Sequence, residues 1–334
     1  MFLPEAIFYE EKALEYELGK KLLNQYQEKQ VPCYIIENHN NIEEMRKKEN
    51  KEFPKMKRNL IIGIRKTHQY VENHKVSDFL VPYTSSGCIA MCMYCYLVCH
   101  YNKCAYLRLF VNREYMLNKL IQTAEKAERD LTFEIGSNSD LVLENTITQN
   151  LTWTIENFAN TKKGKITFPT KFSMVEPLLG LNHKGKVIIR MSVNPQEIIQ
   201  EIEIGTSPLP LRIKAINALQ EAGYKVGILI APIILVENWK VLYEKLIQYM
   251  YANLSLQVKK QAFFEIIFMT YSYVHRKINE EAFPNVPNLY HEELMTGRGR
   301  GKYCYKEGIK KEAEKYIMEL MQKYFSNNPI IYIV

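Results

Sequence analysis

The sequence predicts an α/β protein whose parallel sheet curves into an incomplete (β/α)6 barrel. Six strand-like runs follow residue 78, and segments with helical apolar spacing separate them. Polar residues collect where these runs end. The chain has 334 residues, 47% of them hydrophobic, which is enough for a large core. Because an open doubly wound sheet shows the same alternation, the pattern leaves the closure of the sheet undecided.

Residues 1–78 are expected to form a small N-terminal α/β unit. Apolar residues at helical spacing over residues 10–28 indicate an amphipathic helix. The β-rich runs 31–37 and 60–65 indicate two strands. Residues 39–58 are densely charged, which is typical of an exposed connection.

The barrel is assigned to residues 79–275, and residues 276–334 form a C-terminal extension. The six β-rich runs are residues 79–83, 131–136, 165–170, 186–193, 225–234 and 263–269. The helical segments between them are residues 113–129, 145–160, 173–181, 209–221 and 236–252. Since a helical crossover returns the chain to the same edge, consecutive strands should be neighbours in a parallel sheet.

Polar side chains follow four of the predicted strands at their carboxyl ends. They are Ser137, Ser139 and Asp140, then Lys171, then Ser192 and Asn194, and finally Thr270 and Tyr271. Ligand sites of parallel α/β folds lie at this edge. Any one of these residues could instead be a turn or cap residue, but their recurrence on several strands favours a site.

Five of the seven cysteines lie between residues 88 and 104, and three of them have a compact spacing. Cys88, Cys92 and Cys95 fall on the loop after the first barrel strand, where three thiolates can bind three irons of a cubane cluster. One iron then stays open for another ligand, as a catalytic metal site requires. Cys99 or Cys104 could instead supply a fourth thiolate, which would make the cluster structural.

Charge and composition exclude some classes of protein. Lys and Arg total 44 against 37 Asp and Glu, so the formal net charge is +7, which permits an anionic partner without requiring one. No apolar run reaches the roughly 20 residues of a membrane-spanning helix. Acidic residues near the start argue against a signal peptide. We therefore expect a soluble cytoplasmic protein with no membrane partner.

The cysteine spacing resembles the signature of radical S-adenosylmethionine enzymes, and the chain as a whole resembles the spore photoproduct lyase family. The matching segments run in one order over nearly the whole chain. They are residues 13–20, 64–67, 95–97, 106–112, 133–134, 139–140, 170–172, 192–194, 205–208, 222–224, 230–233 and 301–303. The resemblance implies a radical S-adenosylmethionine barrel with a [4Fe–4S] cluster on Cys88, Cys92 and Cys95.

The resemblance also implies a reaction and a set of contacts. Members of this family revert the methylene-bridged thymine dimer of spore DNA to two thymines through a 5′-deoxyadenosyl radical. By position, Ser139, Lys171, Ser192 and Ala231 would contact S-adenosylmethionine, and Tyr96 would assist hydrogen transfer. The implied partners are DNA carrying the lesion and a reductant protein of flavodoxin or ferredoxin type. A monomer inside the spore is expected.

The sequence departs from the family where the usual hydrogen-donating cysteine would lie, since that position is Ser137. A serine O–H bond is too strong to replace a thiol S–H bond in donating hydrogen to a carbon radical. Cys304 is the preferred donor, beside Tyr303, which would lie near the substrate, and Cys99 and Cys104 are the next candidates. Cys304 could instead be an incidental small apolar residue.

Residues 276–334 would then contact the substrate or DNA, because they include the basic run 298–302, in which glycines alternate with Arg and Lys. Two other functions stay open. One is a radical S-adenosylmethionine enzyme on the same scaffold with a different substrate, marked by Ser137. The other is a nucleic-acid-binding protein with a structural or redox-sensing cluster.

Overall fold

The structure is a computed structural model that describes residues 2–101 and 104–334, without the side chains of residues 99–101. The strands are β1 (Ala6–Glu10), β2 (Cys33–Ile36), β3 (Asn59–Gly63), β4 (Val71–Glu72), β5 (Phe79–Leu80), β6 (Ser85–Ser86), β7 (Met91–Cys92), β8 (Leu107–Phe110), β9 (Thr132–Glu134), β10 (Lys165–Thr170), β11 (Val187–Val193), β12 (Glu203–Ile204), β13 (Lys225–Ile233), β14 (Phe263–Phe268), β15 (Thr270–Ser272), β16 (Met295–Gly299), β17 (Lys302–Tyr305) and β18 (Ile330–Ile333). The helices are α1 (Glu17–Gln27), α2 (Glu43–Arg46), α3 (Phe53–Met56), α4 (Tyr96–Tyr101), α5 (Arg113–Lys126), α6 (Leu141–Thr148), α7 (Asn150–Phe158), α8 (Gln196–Glu201), α9 (Leu209–Glu221), α10 (Trp239–Asn253), α11 (Leu256–Gln261), α12 (Tyr273–Ala282) and α13 (Glu307–Phe325).

The main sheet has eight strands in the order β18-β14-β13-β11-β10-β9-β5-β4. The six predicted barrel strands are successive neighbours in it, and every pair among them is parallel. A doubly wound sheet reverses its strand order at a switch point, whereas the order from β5 to β14 never reverses. The sheet is curled into a half-barrel, so the predicted incomplete barrel is confirmed and the doubly wound alternative is wrong.

The alternation of side chains along each barrel strand separates a core face from a concave face. On β11, Ile189 and Met191 pack in the large hydrophobic core, whereas Arg190 and Ser192 lie on the opposite face. The whole of β11 is buried, as expected for a parallel strand covered on both sides. The concave face is therefore the polar one and is available to form a site.

A second sheet of five strands covers one side of the barrel, in the order β2-β1-β3-β8-β6. The strands β2, β1, β3 and β8 pair parallel with one another in that order, and β6 pairs antiparallel with β8 at the edge. Two of the five strands, β6 and β8, come from beyond residue 78. The boundary of the N-terminal unit at residue 78 stays a prediction.

Several local predictions were wrong. Residues 39–58 are not an exposed connection, because they form α2 and α3 and bury Met45, Phe53 and Met56. One-turn helices are too short to produce a readable apolar period among so many charges. The helix predicted at residues 173–181 is only a 3-10 turn at Glu176–Leu178. The helix predicted at residues 145–160 is divided into α6 and α7 by Gln149, whose φ is 57°.

The C-terminal extension contributes to the barrel and also forms a separate sheet. Strand β18 pairs parallel with β14, which adds a strand to the main sheet. Strands β16 and β17 form a hairpin that pairs with β15 in a three-stranded sheet. Within the residues that the structure describes, no helix is both long and apolar enough to cross a membrane.

Candidate cofactor and substrate site

A cavity of about 670 Å³ opens at the carboxyl ends of the barrel strands. The predicted metal ligands and cofactor contacts meet there, although they come from distant parts of the chain. Those lining it are Cys88, Cys92, Cys95, Tyr96, Ser139, Lys171, Ser192 and Ala231. Ser137, at the position where the family has its cysteine, also lines the cavity. The structure thus brings the predicted site together, and the roles of its residues stay predictions.

The cysteine loop runs from Cys88, after β6, to Cys95, before α4. Cys92 on β7 pairs antiparallel with Glu203 on β12. The residue before Cys88, Gly87, forms a bridge with Ser139 and donates its N–H to Asn138 O at 2.8 Å. At Gly87 a side chain would collide with the Tyr106 carbonyl, so this close approach requires glycine. The loop is therefore held against Glu203 and against the polar residues Asn138 and Ser139.

Burial affects the proton affinity of two of the three predicted ligand thiols. Burial raises the pKa of the Cys88 thiol to about 12 and that of Cys92 well above its usual range. Metal binding displaces such protons, because thiolates are the ligands. Among the described residues, no group of three or more His, Cys, Asp or Glu side chains is arranged to hold a single metal ion. Thiolates that bind three different irons of a cluster need not converge on one point.

Lys171 is the centre of a network at the cavity wall. Its Nζ donates to Ser192 Oγ at 2.7 Å, to Ala231 O at 2.8 Å and to Glu203 Oε1 at 2.9 Å. An ammonium has three hydrogens, so these acceptors use all of them. A cofactor carboxylate that binds Lys171 would have to replace one of these acceptors.

Glu203 was missed by the sequence analysis, although it organises this wall. It is fully buried, pairs with Arg212 Nη2 at 2.6 Å, and accepts from Asn194 at 3.0 Å and from Tyr94. Burial alone would raise its pKa, but Lys171 and Arg212 hold the pKa of Glu203 at about 2. Glu203 is therefore an anion that fixes two cations. It lies at the start of a two-residue strand, where no periodic pattern indicates burial.

Two strand-end residues turn out to differ in kind. Asp140 caps α6, accepting from Val142 N and Leu143 N at 3.1 Å, and also accepts from Thr170 Oγ1 and Lys171 N. It caps a helix, as the alternative interpretation proposed, and it also lines the cavity. Ser139 Oγ is buried and has no hydrogen-bond partner among the described residues. A buried hydroxyl without a hydrogen-bond partner at a cavity wall is suited to bind a polar ligand.

The concave face also carries a buried group of one arginine and two glutamates, which the sequence did not indicate. Arg190 donates to Glu134 Oε2 at 2.7 Å and to Glu265 Oε2 at 3.1 Å. Tyr332 of β18 donates to the same Glu265 oxygen at 2.5 Å. Arg190, Glu134 and Tyr332 line the cavity. This part of the cavity is therefore polar and carries charged groups of both signs.

The predicted catalytic residues lie at different places. Tyr96 lines the cavity and is 48% exposed. Cys304 lies directly opposite Thr270 in the antiparallel register, so the two side chains share one face of the three-stranded sheet. Of these two residues, Thr270 lines the cavity. Tyr303 pairs with Tyr271 on the other face, and its ring centroid lies 4.5 Å from that of Tyr290. Cys304 and Tyr303 are outside the lining residues of the described chain.

The other candidate donors are less well placed or not described. Cys104 packs beside a small core that includes Phe8, Met45 and Tyr106, next to the second sheet. The side chain of Cys99 lies outside the described residues.

The basic run forms the turn of the β16–β17 hairpin. Gly299, Arg300 and Gly301 have φ values of 83°, 52° and 70°, a left-handed turn in which glycine is favoured. Arg298 and Arg300 are exposed, and Lys302 is half-buried. The hairpin therefore presents positive charge to solvent.

A family model described as spore photoproduct lyase matches residues 2–334. A relative named spore photoproduct lyase from Bacillus subtilis is 31% identical, over 99% of this chain and 98% of its own length. A relative of the same name from Clostridium acetobutylicum is 29% identical, over 98% of both chains.

Solved structures give the same result in three dimensions. A double mutant of spore photoproduct lyase with bound AdoMet and dinucleoside spore photoproduct superimposes with a TM-score of 0.92, at 27% identity. The match covers 100% of this chain and 99% of that one. A spore photoproduct lyase complexed with dinucleoside spore photoproduct has a TM-score of 0.90, with the same identity and coverage. With its sequence matched from end to end and its half-barrel shared, this chain belongs to the spore photoproduct lyase family.

Proposed function

We propose that this protein is a DNA repair lyase that converts spore photoproduct into two thymines. The single observation that carries this proposal is the convergence of three cysteines, the unpartnered Ser139 hydroxyl and the Lys171 network on one cavity. Related structures with AdoMet and the lesion dinucleoside share this fold over its full length. The cavity is also large enough for small organic ligands.

Cys88, Cys92 and Cys95 would hold a [4Fe–4S] cluster through three of its irons. Ser139 and Lys171 line the same cavity and would bind S-adenosylmethionine there. When bound, the cluster and S-adenosylmethionine supply a 5′-deoxyadenosyl radical, so the difficult chemistry belongs to the cofactors. The protein binds and orients them and excludes water.

Ser139, Lys171, Ser192 and Ala231 would form the cofactor wall. The Ala231 carbonyl accepts from both Lys171 Nζ and Ser192 Oγ, each at 2.8 Å, which fixes the backbone at that strand end. Ser139 can donate to a polar group of the cofactor without breaking an existing bond. Glu203 holds Lys171 in place through an ion pair at 2.9 Å.

Cys304 would return a hydrogen atom to the thymine radical after the bridging bond breaks. Its register with Thr270 puts it beside the rim of the cavity. Ser137 lines the cavity but its O–H bond is too strong for this transfer. Tyr96 and Tyr303 would assist hydrogen transfer and substrate contact.

Residues 276–334 would bind DNA, with the hairpin turn supplying phosphate contacts. A cross-linked dinucleotide must leave the base stack to enter a barrel, as in other enzymes that modify bases. A reductant protein of flavodoxin or ferredoxin type would deliver the electron, and the chain would act as a monomer.

A second candidate is a radical S-adenosylmethionine enzyme with a different substrate, favoured by Ser137 at the usual donor position. One experiment separates the two. The protein is reconstituted anaerobically with iron and sulfide, reduced, and given S-adenosylmethionine and the lesion dinucleotide. Release of thymine monomers supports repair. Cofactor cleavage without lesion turnover supports the second candidate, and no cofactor cleavage contradicts both.

A further inference from the structure

Lys57, just after α3, is a buried cation without a carboxylate partner. It is 2% exposed, and its Nζ donates to Ala105 O at 2.7 Å. The ring of Phe53 lies 5.5 Å from the same nitrogen. Within the described part of the chain, no Asp or Glu oxygen lies within ion-pair distance of it, and Arg108 adds to the positive charge nearby. Burying a charge without an opposite one is costly, so an anion is expected close by.

The neighbours of Lys57 are the cysteine loop. Ala105 O, which accepts from Lys57, also accepts from the N–H of Cys88 at 3.3 Å. The cluster of Phe53, Leu97, Val98 and Ala105 packs against Cys88 and Cys95. Burial lowers the pKa of Lys57, and negative charge on Cys88, Cys95 and Cys92 opposes that effect. The cysteine sulfurs are therefore the groups that this ammonium faces, and they would supply its counter-charge as thiolates once they bind iron.

A loaded cluster would make this counter-charge depend on its oxidation state. A [4Fe–4S]2+ core with three thiolates carries one net negative charge, and one-electron reduction adds a second. A fixed positive charge beside it stabilises the reduced form more than the oxidised form. Net charge and buried polar groups are established determinants of cluster potentials.

We propose that Lys57 raises the reduction potential of the cluster through its charge and makes the cluster easier to reduce. This inference rests on the proposed cluster at Cys88, Cys92 and Cys95. Lys57 belongs to the segment at residues 39–58, which precedes the cysteine loop in the chain and packs against it.

The test compares two neutral variants by redox titration of the reconstituted protein, followed by the electron paramagnetic resonance signal of the reduced cluster. Lys57→Met removes the charge and the hydrogen bond, whereas Lys57→Gln keeps a donor for Ala105 O. Both should show at least a tenfold lower ratio of reduced to oxidised cluster at one fixed potential, a shift of about 59 mV for one electron. Lys57→Arg keeps the charge and should titrate near wild type, as should Lys55→Met, since Lys55 is exposed on the same helix.

A second measurement needs no cluster. Because the neutral variants remove an uncompensated buried charge, apo Lys57→Met should melt at a higher temperature than apo wild type. If Lys57→Met fails to fold, Lys57→Gln decides the question alone. Neutral variants that bind iron and keep the wild-type potential would overturn the inference and leave the proposed function intact. A wild-type protein that binds no cluster would overturn both.

Discussion

The wall of the cavity and the β16–β17 hairpin are built in opposite ways. The cofactor wall, formed by Ser139, Lys171, Ser192 and Ala231, rests on the buried Glu203, whose carboxylate has two cations and two further donors. The β16–β17 hairpin, which lies outside the cavity lining, exposes Arg298 and Arg300 in a left-handed turn. Buried, charge-compensated networks hold groups in one geometry, whereas exposed turns can adjust to a partner. Under the proposed function, the fold would fix the geometry of the cofactor, and the contacts with DNA would be made by an exposed surface.

The most severe disruption of the cofactor side is removal of a cluster ligand. Cys88→Ala, Cys92→Ala or Cys95→Ala should each abolish the [4Fe–4S] absorbance and all cleavage of S-adenosylmethionine, because three ligands are the minimum for the open-iron arrangement. Iron content and product chromatography measure both properties. Cys33→Ala is the control, since its thiol is distant in the N-terminal unit. Full activity in any of the three variants would contradict the ligand assignment.

The next largest effect concerns the support of the cofactor wall. Glu203→Ala leaves the Arg212 guanidinium buried without its partner, and losing one member of a buried pair costs about 3–5 kcal/mol of unfolding free energy. Urea denaturation measures this value. Glu201→Ala, an exposed acid two residues earlier, should change it by less than about 0.5 kcal/mol.

Acid should remove the same contribution in wild type. The pKa of Glu203 is about 2 in the folded protein against an ordinary 4.5, so its stabilisation is complete above pH 4.5 and is lost as pH falls towards 2. Glu203→Gln should therefore lose less unfolding free energy over that range. Equal losses in both proteins would show that Glu203 is not held as an anion.

Cofactor binding should respond to Lys171 without loss of the cluster. Lys171→Ala should weaken S-adenosylmethionine binding by about one to two decades, because a hydrogen bond to a charged group contributes about 1.5–3 kcal/mol. Isothermal titration on the reconstituted protein gives the dissociation constant. Lys165→Ala changes an exposed lysine at the opposite end of β10 and should bind normally. An unchanged dissociation constant in Lys171→Ala would mean that this residue has only a structural role.

The hairpin side should affect the fate of the product and not cofactor cleavage. Cys304→Ala should still cleave S-adenosylmethionine and break the bridging bond, but release thymine adducts of sulfite or dithionite in place of clean thymine. Mass spectrometry of the products distinguishes them. Ser137→Ala should repair normally, and Ser137→Cys in the Cys304→Ala background should restore thymine. Normal repair by Cys304→Ala would move the donor to another cysteine or to a tyrosine.

The smallest effect belongs to the exposed turn. Arg298→Ala should weaken binding of a lesion-containing oligonucleotide and reduce its logarithmic salt dependence by about 0.7–0.9, because one phosphate contact is lost. Turnover of the isolated dinucleotide should be unchanged, since it has few phosphates to contact. Lys12→Ala, at an exposed position of the N-terminal unit, is the control. Equal weakening on both substrates would mean that the turn contacts the lesion itself.

The sequence was informative where chemistry depends on local spacing. The β-rich runs gave the barrel strands within a few residues, because alternate side chains face the core and the cavity on every strand. The cysteine spacing and the polar strand ends indicated a site, and the parallel strands carried Ser139, Lys171 and Ser192 to one cavity. Asp140 shows the limit of such patterns, since a strand-end polar residue is equally suited to capping a helix.

Local patterns in the sequence were enough to predict the six parallel strands, the three clustered cysteines and the polar residues that follow the strands, and the family resemblance implied the half-barrel. Only the tertiary structure decided that Glu203 holds Lys171 from 32 positions away, and that Lys57 is buried 48 positions from its acceptor Ala105. Both are charged residues in segments that read as polar. The physical reason is that periodicity reports which face of one element is buried. The pairing of a buried charge depends on which distant segments pack together, and no local pattern encodes that.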